Sequence, residues 1–274
     1  MYEAKVAEPV KRERSMSTVD KALTLLRQFS LEQLEIGLNE LARMMGEDKA
    51  VVRRILVSLM KNGFIEQNPE NKRYFLGTGF LALARLREAT VPMVKATQIV
   101  SGWLSKKTNE TVHVSIAGQT GMSTVAYNLP PRGNVINLRP ADRYPFHSSS
   151  SGLAYLSFCT PETQERLLEL PRERLTRFTV TDRDELRSLS AETRARGYAC
   201  TRNTVEVGVA SVAMPFFLGT VDPSGTIAIA VPDLNLTPEH ESFLVDSLRA
   251  GVGLLETALV GEPHAGQFVE ILHD

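Results

Sequence analysis

The chain has 274 residues, 43% of them hydrophobic and 23% charged, with a formal net charge of −1. This is ordinary globular composition, long enough for two cores, and it excludes a disordered or uniformly basic chain. No apolar run approaches the roughly 18 residues of a membrane span. Lys11-Arg12-Glu13-Arg14 follows a start with no apolar core, so no signal peptide is expected. The only cysteines, Cys159 and Cys200, form no C-x-x-C pair, which argues against a disulfide framework or structural zinc. A cytoplasmic protein without metal or cofactor is expected.

Residues 1–14 are polar and charged and read as an arm. Val19, Ala22, Leu23, Leu26 and Phe29 predict a first amphipathic helix, capped by Ser17 or Thr18. Leu38, Leu41, Ala42 and Met45 predict a short second one, ended by Gly46, with Asn39 in its first turn. Asp48 is placed to cap a third helix over Lys49–Lys61, leaving a turn of about three or four residues. That third helix carries Lys49, Arg53, Arg54 and Lys61 and no acidic residue. Val52, Ile55, Leu56, Leu59 and Met60 give it one apolar face. A short basic helix with one apolar face suits a DNA major groove, although a solvated charged face would read the same way.

Asn62-Gly63 stops this helix. Phe64–Gln67 and Tyr74–Leu76 then read as strands joined by Asn68-Pro69-Glu70-Asn71, with Lys72 and Arg73 near the tip to meet phosphates. Residues 15–77 thus read as a winged helix-turn-helix. Charge agrees modestly: residues 1–92 hold 15 Lys and Arg against 12 Asp and Glu, and residues 93–274 hold 16 against 20. The positive field belongs to one domain and not to the chain.

Phe80, Leu81, Leu83, Ala84 and Leu86 predict a linker helix over 78–92, interrupted at Pro92. Its apolar residues fit a dimer contact or packing on the chain's own domain. A helix over 93–107 opens a second domain, 93–274. Thr111–Ile116 and Met122–Tyr127 read as a hairpin around Gly118–Gly121. Helices are expected over 151–159, from Thr160-Pro161, over 182–196 and from Thr237-Pro238 to about 259. Strands are expected over 198–202, 209–217 and 226–231. Their connections are too brief for repeated β-α-β crossovers, so the fold class is α+β, with a mostly antiparallel sheet flanked by helices, as in sensor domains.

Several blocks resemble the IclR family of bacterial transcription regulators. They are Leu38-Asn39-Glu40-Leu41-Ala42 with Gly46, Arg54-Ile55-Leu56 with Gly63-Phe64, Tyr74-Phe75-Leu76-Gly77, Phe146-His147-Ser148-Ser149-Ser150-Ser151-Gly152, Arg196-Gly197-Tyr198, and Gly208-Val209 leading to Ala213-Met214-Pro215. The resemblance covers roughly residues 15–260. It implies a DNA-binding winged helix, an effector-binding domain, and a homodimer or dimer of dimers on double-stranded operator DNA.

It also implies site residues. DNA contacts would come from Asn39, Lys49, Val51, Val52, Arg53, Arg54, Ser58, Lys72 and Arg73. Ala50-Val51 stands where members often carry Ser-Thr, so Lys49, Arg53 and Arg54 must carry more of the contact. The effector would meet His147, Ser150, Ser151, Gly152, Thr201, Ser211, Ala228 and Ala230. Ser150-Ser151 falls where members present Gly-Ala, Thr201 where an aspartate often lies, Ser211 where a cysteine is frequent, and Ala228 and Ala230 where two serines commonly bind the effector. Loss of those hydroxyls points to a small molecule with one polar end, such as an aldehyde acid, a short hydroxy acid or an aromatic acid. Repression of a catabolic operon, relieved by such a metabolite, is the expected use; activation is the alternative. A hydrolase using Ser148–Ser151 beside His147 is a weaker alternative, since no nucleophile elbow surrounds these serines.

Overall fold

A computed structural model describes residues 17–30, 33–90, 92–132, 136 and 143–260. The expected arm at 1–14 lies outside the described residues. Two compact units divide the chain, Met1–Leu86 and Arg87–Asp274. No helix among the described residues is long and apolar enough to cross a membrane.

The first unit begins with α1 (Thr18–Leu26), where Ser17 and Asp20 form a reciprocal capping box. The expected stripe is corrected here: Val19 and Leu23 are 67% and 46% exposed, while Leu25 is fully buried. The inward face runs through Ala22, Leu25, Leu26 and Phe29, spaced three and four apart. Phe29 lies beyond the helix end. α2 (Leu38–Met45) stops at Gly46 in the left-handed region (φ 63°). Asp48 then caps α3 (Lys49–Lys61) by accepting from the Ala50 amide at 2.7 Å.

The wing is β1 (Ile65–Gln67) against β2 (Tyr74–Leu76). Phe64 is not in the strand, because its amide donates to the Leu59 carbonyl at 2.9 Å and finishes the helix end. Ile36 pairs with Tyr74 as a third, single-residue rung. Leu25, Ile36, Leu41, Val52, Leu56, Ile65 and Tyr74 close the core of this unit. α4 (Gly79–Thr90) follows and contains no buried residue.

In the second unit α5 (Met93–Thr108) precedes the hairpin β3 (Thr111–Ala117) and β4 (Met122–Asn128). Then come β5 (Arg143–Tyr144), α6 (Ser150–Phe158), α7 (Pro161–Leu168), α8 (Arg183–Arg196), β6 (Ala199–Arg202), β7 (Val209–Phe216), β8 (Gly225–Pro232) and α9 (Pro238–Val260). The strands form one sheet in the order β5-β4-β3-β8-β7-β6, with every pairing antiparallel. Tyr198 precedes β6 instead of starting it. β5 was not expected, since two residues are too short to show alternation.

Alternation sorts the sheet. Val112, Val114, Val212, Ile227, Ile229 and Val231 face α5 and α9. On the other face Ala199, Ala213 and Ala228 pack with Leu153, Ala154 and Leu156 of α6. Register puts Ala199, Ala213, Ala228 and His113 in one row across β6, β7, β8 and β3, and Thr201, Ser211, Ala230 and Thr111 in the next. The first row is mostly alanine, which lets α6 sit close. The second is mostly hydroxyls.

Candidate functional site

The exposed side of α3 presents Lys49, Arg53, Arg54, Val57, Ser58 and Lys61. Val52 is a correction: its side chain is fully buried in the core and offers nothing to a ligand. Val51 is half-buried against the same core. Arg54 and Ser58 line a groove of about 380 Å³ with Thr18, Lys21 and Ala22 of α1. Asn39 is exposed in the first turn of α2.

At the wing tip Asn68 Oδ1 accepts from the Glu70 amide at 2.9 Å, and exposed Lys72 adopts a left-handed conformation (φ 59°). Arg73 is engaged within the unit. Its guanidinium donates to the Glu35 carbonyl at 2.8 Å and to the Glu40 carboxylate at 2.9 Å. This ties the wing to α2, while the Arg73 side chain stays 41% exposed beside Lys72.

In the second unit a cavity of about 290 Å³ opens at the N-terminus of α6, over the hydroxyl row of the sheet. Four of the expected residues meet there: Ser150, Thr201, Ser211 and Ala230. The Ser150 hydroxyl donates to Ser211 Oγ at 2.7 Å, and Ser211 donates to the Ile229 carbonyl at 3.0 Å.

The other four stand elsewhere. Ala228 shares the sheet face of Ala230 but lies one rung away, beneath α6. Gly152 abuts the preceding loop, where a Cβ would stand 2.4 Å from the Pro145 carbonyl oxygen. His147 Nε2 bonds the Glu173 carbonyl at 2.9 Å and faces a separate, smaller space; burial lowers its pKa. Ser151 turns its hydroxyl to His113 Nε2 at 3.2 Å.

His113, Tyr144, Thr204 and Val209 line the cavity without having been expected. Thr204 is also held by donating to the Ser148 carbonyl. His113 is 5% exposed, its ring lies 5.9 Å from that of Tyr144, and its Nδ1 has no hydrogen-bond partner among the described residues. Burial pulls its pKa down to about 4. The Ser151–His113 pair therefore lacks both the orienting partner and the basicity of a catalytic pair. The signal for His113 was present in the alternation of β3, which puts it opposite Val112 and Val114, but nothing local says that a cavity lies above it.

Among the described residues no group of three His, Cys, Asp or Glu side chains could hold a metal. The model of the IclR helix-turn-helix domain matches residues 18–69, and that of the bacterial transcriptional regulator IclR C-terminal domain matches residues 89–253. The chain belongs to the IclR family.

IclR-family membership makes it a DNA-binding transcription regulator with an N-terminal helix-turn-helix. A glycerol operon regulatory protein of Streptomyces coelicolor is 27% identical over 243 residues, covering 86% of this chain and 95% of that protein. The crystal structure of an IclR regulator from a Silicibacter species is 35% identical with a TM-score of 0.85, covering 89% of this chain and 97% of that one. An IclR homologue of Microbacterium hydrocarbonoxydans, solved with 4-hydroxybenzoate, shares the fold at 20% identity and a TM-score of 0.71, covering 88% of this chain and 98% of that one.

Proposed function

We propose that this IclR-family protein represses a catabolic operon and leaves its operator when a small organic acid or aldehyde-type metabolite enters the cavity at α6. The observation that carries this reading is that cavity. It is about 290 Å³ and combines Ser150, Thr201 and Ser211 with the apolar Ile136, Val209 and Ala230. A few placed polar groups among apolar ones are the usual make-up of a small-molecule site. The Streptomyces relative, named for a glycerol operon, and the 4-hydroxybenzoate in the Microbacterium homologue support the same use.

Lys49, Arg53, Arg54, Ser58, Lys72 and Asn39 are the DNA contacts of this reading, with Arg53 and Lys49 foremost. The protein acts as a homodimer or dimer of dimers, since paired half-sites add affinity and sequence information. Leu81 and Leu83 of α4, 65% and 52% exposed, supply apolar surface for pairing. Effector and operator must weaken each other by the same factor.

The test is fluorescence anisotropy of the purified protein on DNA from upstream of its own gene, with unrelated DNA as control, over a salt series. Specific binding that weakens with salt and is reversed by a small acid supports the reading. Binding tightened by the acid would overturn release of the operator by the effector. Equal affinity for both DNAs at every salt concentration would overturn operator recognition.

A further inference from the structure

We propose that Val57 reads thymine, by packing against the C5 methyl group of that base in the major groove. This rests on the reading above that α3 is the helix that meets DNA.

The place of this valine carries the inference. Val57 is 53% exposed, in the middle of a face that is otherwise basic. At about 100° per residue, Ile55 and Leu59 lie about 160° away from it, and both turn to the core. Within about 60° of it stand Ala50, Arg53, Arg54 and Lys61, all exposed. Ala50 lies on nearly the same line, about two turns earlier. Arg53 falls to one side of that line and Arg54 to the other. The ridge of α3 that stands farthest from its core is therefore apolar, with a cation on each flank. A single exposed valine is common on protein surfaces. This one occupies the ridge that a helix laid in the major groove turns to the base edges.

The chemistry of the side chain selects the base. Valine neither donates nor accepts a hydrogen bond. Guanine presents O6 and N7 in the major groove, adenine N7 and N6, and cytosine N4. Covering any of these with valine leaves a polar edge without a partner, which costs affinity. Thymine alone presents a methyl group there, and an apolar side chain gains by burying it. The flanking arginines are long enough to reach phosphates or a guanine edge. Neither supplies a preference for thymine. Ala50 ends at one methyl group, so Val57 reaches further toward the base.

The experiment is selection of binding sites by the full chain from duplex DNA of random sequence, then fluorescence anisotropy on a recovered site. Each thymine of that site is replaced in turn by deoxyuridine, which removes only the C5 methyl group. For the wild type, at least one replacement is expected to weaken binding about fourfold, the worth of one buried methyl-sized group. Val57→Ala is expected to lose about fourfold for each such thymine in the unmodified site, and to be indifferent to deoxyuridine at those positions. Its melting temperature should not fall, because alanine suits an exposed helical position better than valine. If the wild type feels no replacement, the assignment is overturned. A methyl effect that survives at every position in Val57→Ala also overturns it. Both results leave α3 as the helix that meets DNA. Recovery of no common sequence overturns base reading by α3, and this assignment with it.

Discussion

Ser150 and Ser211, 61 residues apart in sequence, meet hydroxyl to hydroxyl at 2.7 Å, and Ser211 commits its own proton to the Ile229 carbonyl at 3.0 Å. The direction of this relay matters. Ser150 spends its proton on Ser211, so what it offers the cavity is a lone pair. The first residue of α6 is thereby fixed to β7 and, through it, to β8.

Replacing Ser211 with alanine removes the acceptor of Ser150 and leaves the Ile229 oxygen short of one partner. The cavity gives Ser150 another outlet, so the expected cost is about 1 kcal/mol, the usual worth of a hydrogen bond whose partner is not stranded. Thermal denaturation of the wild type and Ser211→Ala, followed by circular dichroism, measures it. An unchanged melting temperature would deny the relay a stabilising part.

Gly152 was expected at the ligand, and its surroundings give it a different constraint. A Cβ would lie 2.4 Å from the Pro145 carbonyl oxygen and 2.5 Å from Phe146 Cα. Both are backbone atoms, and neither can swing aside. Gly152→Ala is expected to lose about 3 kcal/mol or more, at the upper end of overpacking costs. Loss of effector affinity in this variant would accompany a lower melting temperature. Full stability would show that the loop at 145–149 yields.

His113 makes stability fall with acid. Its folded pKa is held near 4 by burial, below the ordinary value of 6.5. The unfolded chain therefore binds the proton first. Stability from this group is complete above about pH 6.5 and is lost as pH falls toward 4, reaching about 3 kcal/mol at full development. His147, also lowered chiefly by burial, adds a slope of the same sign. Melting temperatures across this window are expected to fall less steeply in His113→Phe than in the wild type, but not to become flat. Parallel slopes would mean that His113 is not held neutral.

The sequence made some of this legible. Gly46, Asp48 and Asn62-Gly63 bracket α2 and α3 because caps are local chemistry, readable within three residues. The first helix was phased wrongly because Val19 and Leu23 are as apolar as Leu25, and only contact with the rest of its own unit decides which side turns inward. The same holds for the cavity. Ala228 and Ala230 look alike in a strand, yet Ala228 lies under α6 and Ala230 lines the cavity. His113 reaches Ser151 over 38 residues, a distance at which no pattern in one chain reports. Arg73 looked like a free cation beside Lys72 until Glu40, 33 residues earlier, was seen to hold it.

That difference between basic residues separates two effects on DNA binding. Arg53 is exposed on α3, whereas Arg73 is bonded to Glu35 and Glu40. Arg53→Ala is expected to weaken operator binding by at least about 1 kcal/mol, roughly fivefold, with no change in melting temperature. If Arg53 meets a phosphate, the salt dependence of binding becomes shallower by about one counterion. If it meets a base, the loss falls on the operator more than on unrelated DNA. Arg73→Ala should act through the fold, by releasing the wing from α2. Its affinity loss is expected to come with a lower melting temperature and to diminish on cooling, as the wing re-forms. Anisotropy titrations of both variants on operator and control DNA, at two salt concentrations and two temperatures, separate the roles. Unchanged affinity in Arg53→Ala would remove Arg53 from the interface. A full-strength fold with a salt-sensitive loss in Arg73→Ala would return Arg73 to the phosphate backbone.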